Sequence, residues 1–408
     1  MSIPAALLTR TLTRRAALLG LTAAWSLGPA SLALAAAPVA ASPLRDRRFV
    51  VVILRGALDG MSAVVPYGDR DLAGWRAPLL PPPPGQPNGL LDLGGFYGLH
   101  PSLGGMHRLY AAGELLPVHA VAGGYRSRSH FEAQDYLESG ADQRLTSGWL
   151  NRAVGALPSD PAAPEGEGLA VGLSMPLLLR GPTRIGAYSP EVGQAPSPDL
   201  YARIAALNAP DHLTGPAIAQ ALSDRGFTAS TLGTSAPDKS AGAFPVLADT
   251  AGHLLAAEHG PRIAALEIGG WDTHAGQKQR LQQPLAQLDA GLMALRDGLG
   301  PAWRDTVVLV MTEFGRTVRI NGTGGTDHGT GTVAFLAGGA VAGGRVGGTW
   351  PGLGQSRLLD NRDLAPTTDL RGLAKGVLSA HLGIPGPALE RIFPGSHDIS
   401  PVGGLLRA

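Results

Sequence analysis

The chain has 408 residues, 44% of them hydrophobic and 16% charged, with a formal net charge of +1. That length and composition support a sizeable core, as one large domain or two ordinary ones, and exclude gross disorder. Near-neutral charge gives no electrostatic footprint for nucleic acid, and the absence of cysteine excludes disulfides, zinc–thiolate centres and cysteine nucleophiles.

The first predicted element is a targeting segment. Thr13-Arg14-Arg15 precedes an apolar stretch, Ala16–Ala37, in which Ala33-Leu34-Ala35 fits a small-x-small cleavage site. The paired arginines point to the twin-arginine export machinery, which carries folded proteins, although Ala17 stands where a Phe is common. Residues 1–37 are therefore read as a signal peptide and 38–45 as a linker. An ordinary signal peptide or an uncleaved anchor is the alternative. Removing Arg10, Arg14 and Arg15 from the 33 basic residues leaves 30 against 32 acidic ones, a net charge of −2. No later apolar run is long enough to span a bilayer. The expected destination is the periplasm or the exterior, with no stable membrane span after cleavage.

Residues 46–400 are read as a single α/β domain. Phe49–Arg55 is an apolar run, predicted to be a strand buried on both faces. Leu58-Asp59-Gly60 is a turn signal, and Pro81 to Pro84 make 78–89 a loop. His100–Ala112 reads as a helix and Leu115–Ala122 as a second strand. Residues 156–168 and 206–245, rich in Pro, Gly, Ala and Ser, read as surface excursions, the second a candidate cap over the sheet. Arg262–Ile268 is a strand ending in Gly269-Gly270. Leu281, Leu285, Leu288, Leu292, Leu295 and Leu299 recur in steps of four and three, which places them on one helix face. Pro284 bends or starts that helix. Thr306–Met311 and Val333–Ala337 are further strands, and Leu370–Leu382 a late helix. Apolar strands alternating with amphipathic helices predict a central, mostly parallel sheet with helices on both faces.

Ligands of such sheets bind beyond the carboxyl ends of the strands, where polar residues collect. Asp59 follows the first strand; an Asp-Gly turn capping its own backbone is the plain reading. Arg126-Ser-Arg128-Ser129-His130-Phe-Glu132 follows the second. Ser129 beside His130 and the guanidinium groups could be a nucleophile, or the N-cap of a helix with Glu132 completing a capping box. Asp272 and His274 follow the third strand and, two apart in an extended segment, face the same way. They can share one metal ion or form a hydrogen-bonded brace. Glu313, just past the fourth strand with Arg316 three residues on, is a ligand or half of an ion pair. Asp327-His328 lies in a Gly-rich loop; one of the two reaches a site while the other supports it. Gly329-Thr-Gly331-Thr-Val-Ala334 matches a dinucleotide fingerprint in letters but leads into a strand, the wrong context. Neither a P-loop nor a Gly-x-Ser-x-Gly elbow is present.

At these positions the sequence resembles a known family. Leu54-Arg-Gly…Asp59-Gly, Arg128-Ser-His-Phe131, Gly270-Trp-Asp-Thr-His274, Thr312-Glu-Phe-Gly-Arg316, Gly325-Thr-Asp-His-Gly329 and the closing Phe393-Pro-Gly395 resemble the bacterial twin-arginine-exported domain-of-unknown-function 1501 family, over about residues 46–396. That family is placed in the alkaline-phosphatase-like superfamily of phosphatases, sulfatases and phosphomutases. The resemblance implies an alkaline-phosphatase-like fold and often a two-metal site with a Ser, Thr or modified nucleophile. By order, Asp59 resembles the first metal aspartate, Ser129 falls near the nucleophile and His328 resembles the last metal histidine. Gly270 and Glu313-Phe314 depart from the pattern, so one ion, an altered pair or none is implied.

The expectation is a metal-dependent hydrolase of small anionic phosphate or sulfate esters. One or two divalent ions (Zn, Mg, Mn or Ca) would be held by a subset of Asp59, Asp272, His274, Glu313 and His328. Ser129 would be nucleophile or ligand, and Arg128 or Arg316 would balance transition-state charge. His130 and Asp327 would support the ligands from behind. The alternative is a non-catalytic envelope protein with a degenerate site.

Overall fold

The computed structural model describes residues 46–158, 166–172, 174–189, 198–211, 214–232 and 243–407. The expected signal peptide and linker 38–45 lie outside the described residues, as do 159–165 and 233–242 of the two excursions. The described elements belong to one compact unit, Ser42–Ala408.

Among the described residues eleven strands are formed: β1 Arg48–Leu54, β2 Val64–Val65, β3 Leu91–Asp92, β4 Gly98–Leu99, β5 Leu115–Ala122, β6 Gly168–Val171, β7 Gly186–Tyr188, β8 Ile263–Ile268, β9 Thr306–Thr312, β10 Thr332–Ala337 and β11 Thr368–Asp369. Eight make one sheet in the order β11-β5-β10-β9-β1-β8-β6-β7, and β2, β4 and β3 make a small antiparallel one. The large sheet is parallel except for β10, which runs antiparallel to both β9 and β5. This reversal places the start of β10 at the same edge as the carboxyl ends of β1, β5, β8 and β9.

β1 is central because every residue after Arg48 is apolar and can be buried on either face. Its side chains alternate. Val50, Val52 and Leu54 pack with helices Gly104–Ala111, Ala243–Ala256 and Gln282–Leu299. Phe49, Val51 and Ile53 pack with helices Trp149–Val154, Leu370–Ala380 and Gly386–Ile392. All six leucines of the 281–299 ladder are at most 2% exposed. At about 1.5–3 kcal/mol per buried leucine, that face contributes on the order of 10 kcal/mol before chain entropy is counted. Pro284 sits in the first turn of the Gln282–Leu299 helix, where its missing N–H costs nothing.

One expectation is corrected. The predicted His100–Ala112 helix begins only at Gly104, because Pro101 and Ser102 form a turn in which Ser102 N–H donates to His100 Nδ1. Within the 206–245 excursion, helix Thr214–Leu232 packs on helices Pro198–Asn208 and Ala243–Ala256 and touches the edge strand β7. Among the described residues, no helix is long and apolar enough to cross a membrane.

Candidate metal centre at the carboxyl edge of the sheet

Beyond Leu54 the chain turns through Gly56 at φ +119°; a Cβ there would lie 2.8 Å from the backbone nitrogen of Asp272. Only glycine allows the two loops to approach so closely. Ala57 follows at φ +64°, strained for a residue with a side chain. The turn is held by Arg316, whose guanidinium donates to the carbonyls of Gly56 (2.6 Å), Ala57 (2.8 Å), Trp271 (3.2 Å) and Thr326 (3.2 Å).

After β8, Trp271 is fully buried and its indole N–H donates to Ile268 O at 3.0 Å. Burial then alternates: Trp271 and Thr273 point inward, Asp272 and His274 outward. The Thr312–Thr317 and Asp327–Thr330 segments pair through Gly329 N–H to Gly315 O (2.8 Å) and Gly315 N–H to Thr330 O (3.0 Å). His328 is thereby carried to the same edge.

Three histidine rings and the Arg316 guanidinium meet at Asp272 Oδ1. His274 Nε2 lies 3.0 Å from it, His328 Nε2 3.4 Å and His130 Nε2 3.5 Å. His274 Nε2 and His328 Nε2 are 2.9 Å apart. His130, Asp272 and His328 form the one group of candidate ligands found among the described residues, and His274 adjoins it.

The opposite ring nitrogens fix the tautomers. His130 Nδ1–H donates to Glu313 Oε1 at 2.8 Å, and His328 Nδ1–H donates to the Arg128 carbonyl at 2.7 Å. His274 Nδ1 faces Asp327 Oδ1 at 3.4 Å. Each ring has an acceptor behind it and its Nε2 toward Asp272, as metal-ligating histidines do. His130 Nε2 is buried with no hydrogen-bond partner, since 3.5 Å to Asp272 is too long for one.

Charge settles accordingly. The hydrogen bond to Glu313 raises the His130 pKa above its ordinary value and outweighs burial. Burial lowers that of His328, so this imidazole is neutral at pH 7. Burial opposes ionisation of Glu313, but bonds from His130, Gln134 and Thr312 hold its pKa below the ordinary range. Asp272, against the pull of its partial burial, is held low by Arg316 at 2.5 Å.

The sequence-derived roles are redistributed by this geometry. Asp272, His274 and His328 stand together, and His130, expected behind the ligands, stands with them. Glu313, expected as a ligand, lies behind His130: Oε1 accepts from Gly56 N–H, His130 and Gln134, and Oε2 from Thr312. Asp59 is fully buried and bound by both terminal nitrogens of Arg76, by Ser62 Oγ and by Gln277, so its oxygens are occupied away from the histidines. Arg316 is 0% exposed and reaches the centre only through Asp272. Arg128 donates from Nη2 to Asp363 at 2.8 Å and meets the centre through its carbonyl. Asp327 supports His274, not its neighbour His328. Ser129 is the N-cap of helix His130–Ser139 but makes no cap hydrogen bond, and Glu132 accepts from Tyr125, so no capping box forms. Phe314 stacks on His130, ring centroids 4.9 Å apart.

The fold and the cluster together define an α/β protein with a candidate histidine–carboxylate metal centre at the carboxyl edge of a mostly parallel sheet. The chain belongs to the family described as "Protein of unknown function (DUF1501)", which matches residues 100–393 and so spans every cluster residue but not β1 or Asp59. No curated protein matches it. It is similar to the solved structure of BT1596, a 2-O GAG sulfatase, at 10% identity and TM-score 0.37, covering 84% of this chain and 72% of that one. It is also similar to Ps i-CgsB in complex with k-i-k-neocarrahexaose, at 10% identity and TM-score 0.35, covering 83% and 72%. Likeness at that level carries no functional argument.

Proposed function

We propose that the protein is a metal-dependent hydrolase of phosphate or sulfate esters, exported by the twin-arginine route to the periplasm or the exterior. The observation that carries the metal reading is the convergence of His130, His274 and His328 Nε2 on Asp272 Oδ1. Ligands bonded at about 2.0–2.2 Å around a four-coordinate ion lie roughly 3.3–3.6 Å apart. The separations from Asp272 Oδ1, 3.0–3.5 Å, fall close to that; His130, Asp272 and His328 lie within reach of one ion with His274 adjoining, and the buried, unpartnered His130 Nε2 is the polar atom that an ion would satisfy. Nitrogen-rich donors favour Zn²⁺ over Mg²⁺ or Ca²⁺, which take oxygen. The ester class comes from the sequence resemblance to the alkaline-phosphatase-like superfamily.

A bound divalent cation would supply Lewis acidity to the ester oxygen and lower the pKa of an attacking hydroxyl or water. The chain's own residues do the rest. His328 stays neutral, with its Nε2 lone pair free. Arg316 keeps Asp272 ionised, and Glu313 turns His130 inward. Ser129, between the Arg128 carbonyl and His130, is the candidate nucleophile.

A panel of phosphate and sulfate esters, assayed with wild type, His328→Ala and Ser129→Ala, tests the proposal. Turnover abolished by His328→Ala supports it; no turnover of any ester by metal-replete wild type refutes it. One observation favours the second reading, a non-catalytic binding or scaffold protein of the cell envelope: Arg316 is buried and engaged at every guanidinium nitrogen, so it offers an anion no free donor face. Export rests on Thr13-Arg14-Arg15 and is tested by fractionating cells that express Arg14→Lys/Arg15→Lys, which should retain the protein in the cytoplasm.

A further inference from the structure

The two loops that carry His274 and His328 meet on one buried amide. Gln277, 1% exposed, opens the short helix Gln277–Arg280 three residues beyond His274. Its Oε1 accepts from Thr273 Oγ1 at 3.0 Å and from Thr326 Oγ1 at 2.6 Å. Thr273 lies between Asp272 and His274, and Thr326 directly precedes Asp327 and His328. On its other side, Gln277 Nε2 donates to Ser62 Oγ at 3.1 Å and to the Asp59 carboxylate. Asp59 is itself held by Arg76. The amide cannot flip, because a carboxylate only accepts and would then face Oε1.

We propose that Gln277 is a positioning residue that sets the spacing of the two ligand loops, an inference that rests on the metal reading above. The backbone brings the loops near each other, through Gln277 N–H to Gly324 O at 3.0 Å and Thr326 N–H to Thr273 O at 3.3 Å. The side chain adds a tie to each loop, at Thr273 between Asp272 and His274 and at Thr326 two residues before His328. A metal site tolerates only about half an ångström of error in its ligands, so these two ties govern affinity. The Asp59–Arg76 pair gives the amide an immobile anchor. This assigns the buried aspartate a part in the site without contact to the ion.

The test uses the full mature chain, titrated with Zn²⁺ against a chromophoric chelator, with the Co²⁺ absorption spectrum as a second readout. Wild type, Gln277→Met, the double variant Thr273→Val/Thr326→Val and the triple combination are compared at a temperature where circular dichroism shows each folded. Gln277→Met and the threonine pair should each weaken Zn²⁺ binding roughly 10–100-fold and shift the Co²⁺ bands. The triple variant should lose little more, because all three changes cut the same link. Wild-type affinity and an unchanged Co²⁺ spectrum in Gln277→Met, or fully additive losses, would overturn the inference. If Gln277→Met does not fold, the threonine pair decides alone. Wild type that binds neither ion overturns the metal reading itself and this inference with it, a result distinct from intact binding in the variants.

Discussion

His130 and Glu313 show how little a residue type says about its place in a site. Both were legible as candidates, but the sequence cannot say which of two adjacent polar positions faces a ligand, because that depends on the turn after each strand. Glu313 is spent on three donors at Oε1, and the ring it orients offers Nε2 instead. Glu313→Gln is expected to weaken Zn²⁺ binding roughly 10–100-fold without unfolding the protein. Chelator competition checks this, and unchanged affinity would count against the assignment. Asp59 illustrates the opposite error. Its partner Arg76 is 17 residues away, beyond any local pattern, and burial of the pair was invisible in the string. Asp59→Asn should leave Arg76 buried and unpaired, at a cost of about 3–5 kcal/mol in urea unfolding. At saturating Zn²⁺ the metal stoichiometry of the folded fraction should not change, even where affinity falls because Gln277 loses its anchor; loss of the ion at saturating Zn²⁺ with little loss of stability would restore Asp59 as a ligand. Gln277 gave no signal at all, since it opens a run, Gln277-Lys-Gln-Arg280, that reads as a solvated helix start.

At the scale of elements, length decided what could be read. β1, β5, β8, β9 and β10 are six to eight residues and buried throughout or nearly so, and each appeared as an apolar run. β7 and β11, of three and two residues, carry too few side chains to show a period. The reversed direction of β10 was also hidden, because alternation reads the same in both directions. That reversal brings His328 to the carboxyl edge. The leucine ladder was legible because six positions fixed the period. Leu288→Ala, in the middle of the Gln282–Leu299 helix and fully buried, should cost about 2–5 kcal/mol by urea unfolding. A loss below 1 kcal/mol would mean that this face is not part of the core.

At the scale of the molecule, stability should depend on pH through buried neutral histidines outside the cluster. Burial pushes His119 and His381 down to about 4, from an ordinary value of 6.5. His119 already accepts from Ala120 N–H at Nδ1 and donates from Nε2 to Val64 O, so a second ring proton has no acceptor. Because the folded pKa lies below the unfolded one, this stabilisation is whole above pH 6.5 and is lost as pH falls toward 4. Between pH 6.5 and 5 each of the two histidines should remove roughly 2 kcal/mol. His381→Gln should flatten the profile in that window by about one proton relative to wild type; an unchanged slope would contradict the account. His130 works the other way, its raised pKa favouring the fold at low pH, so the comparison of variants is the informative one.

The central claim is that His130, Asp272 and His328, with His274 beside them, hold a divalent cation. The most direct measurement is elemental analysis of the chain purified without chelators and equilibrated with Zn²⁺, for wild type beside His328→Ala. The account predicts one bound ion per wild-type chain and its loss in a folded His328→Ala variant. Wild type that retains no ion, or a variant that retains it undiminished, would contradict it.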